Sequence, residues 1–169
     1  MEVYEAIRTV LAVREFQNQP VPASTVHRIV ESARLTASSQ NRQPWHFVIV
    51  QNKETLVNLG SLVRSGPYNA QAAFAVVVAI DKKSRFGLSD ASRAIQSMVL
   101  TAWSEGVSSN WTGWVGMSEV ATFLGIPENY DVIAVLPFGY ATHLRTMGRK
   151  NRKALSEIAS SERFDQPFS

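Results

Sequence analysis

The chain has 169 residues, of which 45% are hydrophobic and 18% charged, the balance of one folded domain with its own core and not of a disordered segment. It has no cysteine, which excludes disulfides, thiolate metal sites and cysteine nucleophiles and fits a reducing cytoplasm, and its three histidines (His27, His46, His143) lack metal-ligand spacing. The net charge of +3 suits a small phosphate-bearing ligand and is too diffuse for a nucleic-acid surface; no apolar run is long enough to cross a bilayer, and the N-terminus has no signal pattern.

In chain order, Met1 to Thr9 predicts a short helix with Val3, Ala6 and Ile7 on one face and Glu2 and Glu5 in its favourable first turn. A loop through Pro20 and Pro22 leads to Ser24, expected to cap a helix to about Leu35 with Val26, Ile29, Val30 and Ala33 inward. Trp45 to Val50 predicts a strand. Asn52 then caps a helix over Lys53 to Leu62, which Ser65-Gly66-Pro67 breaks. The apolar run Ala72 to Ile80 predicts a strand covered on both faces. Asp90 to Glu105 has apolar residues at helical spacing and ends at Gly106. Val107 to Val115 reads as a strand entering a loop, Ser118 to Leu124 as a helix capped by Ser118, and Val132 to Tyr140 as the last central strand. A short helix is expected near Ala154 to Ala159. The pattern gives one α+β domain over residues 1–169: a sheet of three or four strands with helices packed over it.

Between the second helix and the first strand lies TASSQNRQPWHF, Thr36 to Phe47. Polar side chains crowded at the mouth of a buried strand need partners, because an unpaired buried polar group costs roughly 1–3 kcal/mol. Either the backbone or a ligand supplies them. Turn-forming Ser and Asn explain each residue singly; the stretch as a whole is more specific.

It resembles the Pro/Ala-Ser-Ser/Gly-x-Asn-x-Gln-Pro-Trp signature of the FMN-dependent nitroreductase family. Four further stretches follow the family order: Ala12-Val13-Arg14-Glu15-Phe16; the long helix ending at Gly106; SNWTGWVGMSEV with LGIPE; and LPFGY followed by GRKNRKALSEI. Together they cover nearly the whole chain. The resemblance implies a three-layer α/β/α sandwich with a mixed, mainly antiparallel central sheet and a C-terminal extension.

It also implies roles. Arg14, Lys150 and Arg152 would grip the FMN phosphate, which suits the strength of charge-assisted hydrogen bonds. Ser38, Ser39 and Asn41 would bond the ribityl chain, phosphate or ring edge. Asn69 would meet the pyrimidine end of the flavin, or else form a plain turn. Val115 and Gly116 would bring backbone close to the ring, and Trp111 and Trp114 would wall the substrate cavity or fill the core. Gln43 and Pro44 shape the turn and Trp45 belongs to the core. No Asp, Glu or His stands out as a general acid or base, in keeping with a cofactor that carries the redox chemistry.

The implied protein is a cytoplasmic homodimer with FMN at the subunit interface. The alanine face of the long helix would pack on the symmetry mate, and the tail, about residues 141–169, would reach the partner subunit or fold back. NADH or NADPH would donate electrons, and a nitroaromatic or quinone would accept them. Dehalogenation, enone reduction and flavin storage remain open on the same scaffold. The family's Arg-Arg-Ser is replaced by Val10-Leu11-Ala12, with Arg8 the nearest substitute cation, and Ala154 stands where the family has Pro.

Overall fold

The computed structural model describes residues 1–113, 115–143 and 150–168. Among them lie helices α1 (Val3–Thr9), α2 (Ala23–Arg34), α3 (Lys53–Leu62), α4 (Gly87–Ser104) and α5 (Met117–Phe123), and strands β1 (Trp45–Val50), β2 (Phe74–Asp81), β3 (Ser108–Ser109) and β4 (Tyr130–Gly139). Short 3₁₀ turns occupy Ser39–Asn41, Pro67–Gln71 and Leu155–Glu157.

The sheet order is β1-β2-β4-β3 and every strand pair is antiparallel. One parallel bridge, Ala12 to Ser109, adds the mixed character. The valine-rich β2 runs through the middle, and Phe74 to Ala79 are all buried. Alternate side chains of β2 go to opposite faces. Phe74, Val76 and Val78 meet α2 and α4, while Ala75 and Val77 meet α3 and α5. Three layers result. A bulge interrupts the β2–β4 ladder: Val78 faces Ala134 but Ala79 faces Val132, which leaves Ile133 as the extra residue. The shift puts Val132 on the same face as Val135, against α3 and α5.

The structure corrects several expectations. Ser24 does not cap α2: Pro22 occupies that position, and no side chain closes the helix end. Ser118 does not cap α5, since its hydroxyl donates to Glu119 while Gly116 holds the cap position. Helix α4 begins at Gly87, one turn before Asp90, whose N–H donates to the Phe86 carbonyl. The expected strand over Val107 to Val115 shrinks to Ser108–Ser109 plus a bridge from Thr112 to Val135, because the chain leaves the sheet edge after two residues. The tail helix is a three-residue turn. Ala91, Ala94 and Ala102 are buried against α2 and the sheet of their own chain, so the alanine face of α4 cannot meet a partner. Helix α1 docks through Ala6 and Thr9 and leaves Val3, Tyr4 and Ile7 exposed. No described helix is long and apolar enough to cross a membrane.

Candidate functional site

One corner of the molecule forms where α1 ends. Strand β3 takes the following segment as a neighbour, and the Val13 N–H donates to the Ser109 carbonyl at 2.9 Å. The end of β4 takes it on the other side. Phe16 bridges Ala141, the Gln17 N–H donates to Tyr140, and Gln17 Nε2 donates to the Ala141 carbonyl at 2.6 Å. Arg14 therefore rises from backbone fixed on two sides. Its side chain lines an open cleft of about 420 Å³ with Leu11, Trp103, Thr142 and His143. Trp103 is itself tied to α1, its indole N–H donating to Thr9 Oγ1 at 2.8 Å.

Lys150 reaches the same end of α1, where its Nζ donates to the Ile7 carbonyl at 2.8 Å. Burial, then the nearby Arg152 and Arg8, hold its amine below the ordinary lysine value. Like charges gathered in this way destabilise one another unless an anion balances them. Arg8 is already engaged by Glu5 through two hydrogen bonds of 2.8 and 2.7 Å. Arg152 lies exposed, with Nη1 donating to the carbonyl of Asn151. Three of the expected phosphate ligands, Arg14, Lys150 and Arg152, thus come from segments on this side of the fold.

Beyond β3 the chain builds a wall. Asn110 Nδ2 donates to the Tyr68 hydroxyl, and Ser65 Oγ donates to the Gly113 carbonyl. Asn69 lies fully buried between these two segments, with its Nδ2 donating to the Gly66 carbonyl at 2.7 Å and to Thr112 Oγ1 at 3.3 Å. Thr112 Oγ1 can accept there because its own proton goes to the Val135 carbonyl at 2.6 Å. Asn69 Oδ1 is buried without a partner among the described residues. Asn69 is therefore a lock between the 66–71 turn and the 110–112 segment, and its amide N–H groups do not face solvent. Val115 is exposed, and Gly116 follows it in the left-handed region at φ 85°. Trp111 is partly exposed on the same segment; Trp114 lies outside the described residues.

The polar stretch sits elsewhere. Gln40, Asn41 and Gln43 have φ of 55°, 54° and 49°. Ser38, half-buried, accepts the Gln43 N–H on its Oγ at 2.9 Å. Asn41 and Gln43 are exposed, and Gln43 Nε2 donates to Asn41 Oδ1. Ser39 departs from its expected role: its N–H and hydroxyl both donate to Asp90, at 3.0 and 3.2 Å, so both its donors turn into the fold. Pro44 is buried and its carbonyl accepts the Asp81 N–H, while Trp45 packs on the core beside Phe47. Gln43 to Trp45 thus shape and bury the turn. Asp90 escapes sequence reasoning as a functional candidate because it reads as an ordinary first-turn acid; the available signal is its place in the buried series with Ala91 and Ala94.

The decisive geometry is the separation of these groups. Asp90, beside Ser39, and Trp103, beside Arg14, lie 13 residues apart on one helix, which at 1.5 Å per residue is about 20 Å. The cations and Asn69 belong to the end of the molecule where β3 pairs with β4, and the segment leading to Val115–Gly116 runs back along β4 past Val135 and Ile133. Ser38, Ser39 and Asn41 belong to the other end. One chain does not gather them around one small ligand. Apolar side chains stay exposed on α1 and in the tail. Phe164 is 89% exposed, and Leu155, Ile158 and Phe168 are more than half exposed.

A family model described as Nitroreductase family matches residues 8–87 and 64–140. A protein of Methanothermobacter thermautotrophicus, provisionally named NADH dehydrogenase/NAD(P)H nitroreductase, is 31% identical over 148 residues, covering 83% of this chain and 78% of its own. A solved structure from Bacteroides thetaiotaomicron with the same provisional name superposes with a TM-score of 0.86 at 25% identity, covering 93% of this chain and 95% of that one. An FMN-dependent nitroreductase from Clostridium difficile has the same fold, with a TM-score of 0.87 at 22% identity over 94% of this chain and 98% of that one.

Proposed function

The chain belongs to the nitroreductase family of oxidoreductases, and from that premise we propose that it works as a homodimer with FMN at the subunit interface. It passes electrons from NADH or NADPH to a small electron-poor acceptor such as a nitroaromatic or a quinone. The observation that carries this reading is the split of the candidate ligands between the two ends of α4. The donor set fits FMN only when two subunits contribute, and a symmetric dimer supplies two such sites.

FMN, when bound, supplies the redox chemistry. The protein's residues bind and orient. Arg14, Lys150 and Arg152 would neutralise the phosphate through charge-assisted hydrogen bonds. The hydroxyl of Ser38 and the amide of Asn41, from the second subunit, would bond the polar edge of the ligand. The Val115–Gly116 backbone would approach the ring, and the exposed Trp111 would border the acceptor cavity. A cysteine-free chain suits the reducing cytoplasm that also supplies nicotinamide donors.

The test is a visible spectrum of the purified protein before and after anaerobic NADH or NADPH. Flavin bands that bleach support the reading, and nitroaromatic, halophenol and enone acceptors offered side by side then define the reaction. Flavin bands that persist with both donors would assign storage instead. A colourless protein that ignores added FMN would falsify it.

A further inference from the structure

We propose that Asp90 is a positioning residue that holds the Ser38–Gln43 loop in its ligand-ready shape; the assignment rests on the FMN reading above. A carboxylate that only favours a helix start stays in water, where it costs nothing to keep charged. Asp90 is 1% exposed. Burying a carboxylate is unfavourable unless several donors converge on it. Three do: the Ser39 N–H at 3.0 Å, the Ser39 hydroxyl at 3.2 Å and Arg93 Nη2 at 3.1 Å. Two of the three come from one residue on a loop 51 positions away in sequence, so the carboxylate is aimed at that loop.

The loop needs an anchor. Gln40, Asn41 and Gln43 place three L-residues with side chains in the left-handed region within four positions. Each is a disfavoured conformation that persists only where surrounding structure dictates it. The loop's own hydrogen bonds, Asn41 N–H to Ser38, Arg42 N–H to Ser39 and Gln43 N–H to Ser38 Oγ, stay inside it. They set its shape but do not tie it to the fold. Among the described residues, the ties to the fold are the Ser39–Asp90 pair at its start and the Asp81 N–H to Pro44 bond at its end. Asp90 thereby fixes where Ser38 and Asn41 stand before any ligand arrives. A ligand that meets a preset loop does not have to order it.

The test uses the full-length protein and the variants D90N, S39A and R93A. An amide at position 90 can accept one Ser39 donor but turns N–H groups toward the other, whereas S39A keeps the backbone bond. Trypsin provides a readout independent of flavin, since Arg42 is exposed at the loop tip. Without FMN, cleavage after Arg42 is expected to be about tenfold faster in D90N than in wild type and intermediate in S39A and R93A, each of which removes part of the donor set that holds the carboxylate. The FMN dissociation constant of D90N should rise about tenfold, while turnover of the flavin-saturated enzyme stays within about twofold of wild type. Cleavage of D90N after Arg42 at the wild-type rate overturns the assignment. If D90N does not fold, S39A decides: faster cleavage after Arg42 supports the anchor and wild-type cleavage refutes it. A wild-type protein that binds no FMN sinks the functional reading alone, because the cleavage comparison still judges Asp90.

Discussion

The α-carbon of Gly116 lies directly against the backbone carbonyl of Leu62. A Cβ on Gly116 would come 3.0 Å from the Leu62 carbonyl carbon and closer still to its oxygen, and the residue is also left-handed at φ 85°. Glycine here serves the junction of α3 and α5 first, and the same junction delivers the Val115–Gly116 backbone to the proposed site. Gly116→Ala should therefore cost about 2–4 kcal/mol of stability, combining left-handed strain with overpacking against backbone that cannot yield. Urea unfolding of the apo-protein would measure it. A loss below the lower figure would mean that the junction moves aside more readily than its geometry implies.

Asn69 separates a structural role from a ligand role. Its Nδ2 ties Gly66 to Thr112, and its Oδ1 is buried without a described partner. Asn69→Leu removes the unpaired acceptor but takes the side-chain donor from Thr112 Oγ1 and from the Gly66 carbonyl, which keeps only the backbone N–H of residue 69, so a net destabilisation of about 1–3 kcal/mol is expected. As a lock, the residue should change FMN affinity only about as much as stability suffers. A drop in FMN affinity with unchanged melting temperature would return Asn69 to the ring-contacting role that its position in the sequence suggested.

Lys150 gives the proposed site a pH signature. Burial, Arg152 and Arg8 depress its amine in the free protein. A folded-state value below the ordinary 10.5 means that the unfolded chain binds more protons in the window between the two values, so the penalty at Lys150 is present below that window and relieved as pH rises through it. Phosphate reverses the sign, because an anion stabilises the charged amine and raises its pKa in the complex. FMN affinity should accordingly be flat at neutral pH and begin to fall on the acid side of 10.5, earlier than for an ordinary lysine. A fluorescence titration across pH would show this, and Lys150→Met should flatten that limb of the profile.

The tail leaves Leu155, Ile158, Phe164 and Phe168 more than half exposed. Fully burying a large apolar side chain contributes about 1.5–3 kcal/mol. Deleting residues 154–169 should therefore loosen the proposed dimer, seen by sedimentation as a shift toward monomer relative to the full chain. Unchanged association would mean that the tail serves something other than the proposed interface.

How much of this was legible in the sequence depended on whether the signal was local. The strand Trp45–Val50 and helix Lys53–Leu62 lie where the residues place them, because an apolar run and an Asn52 cap that accepts the Thr55 N–H act within a few positions. Ser24 and Ser118 carried the same cap signature and failed, because the chain enters those helices through Pro22 and a left-handed Gly116. Val107 to Val115 had strand-like residues, but the chain pairs with β4 only at Ser108–Ser109 and again at Thr112 before it leaves the sheet edge. Ser38 and Asn41 could be singled out as polar residues needing partners. The inward turn of Ser39 could not, since it depends on a carboxylate 51 positions away. Nor could the roughly 20 Å scale of α4, which places Arg14 and Asn41 at opposite ends, be turned into a site from one chain.

That separation yields the most discriminating prediction. If each FMN site takes Arg14 from one subunit and Asn41 from the other, R14A and N41A should each weaken FMN binding in both sites of a homodimer. Losing a charge-assisted phosphate bond should cost about 1.5–3 kcal/mol, and losing the amide bond somewhat less. In a hybrid dimer of one R14A chain and one N41A chain, the twofold axis sorts the defects. One site receives both substitutions together, and the other receives the native Arg14 and Asn41. Differently tagged chains, co-expressed and purified through both tags, should bind FMN at half occupancy with wild-type affinity. Were the site built within a single chain, every site of the hybrid would carry one defect and no tight site would appear. The titration therefore separates a shared site from a private one without requiring the acceptor to be known.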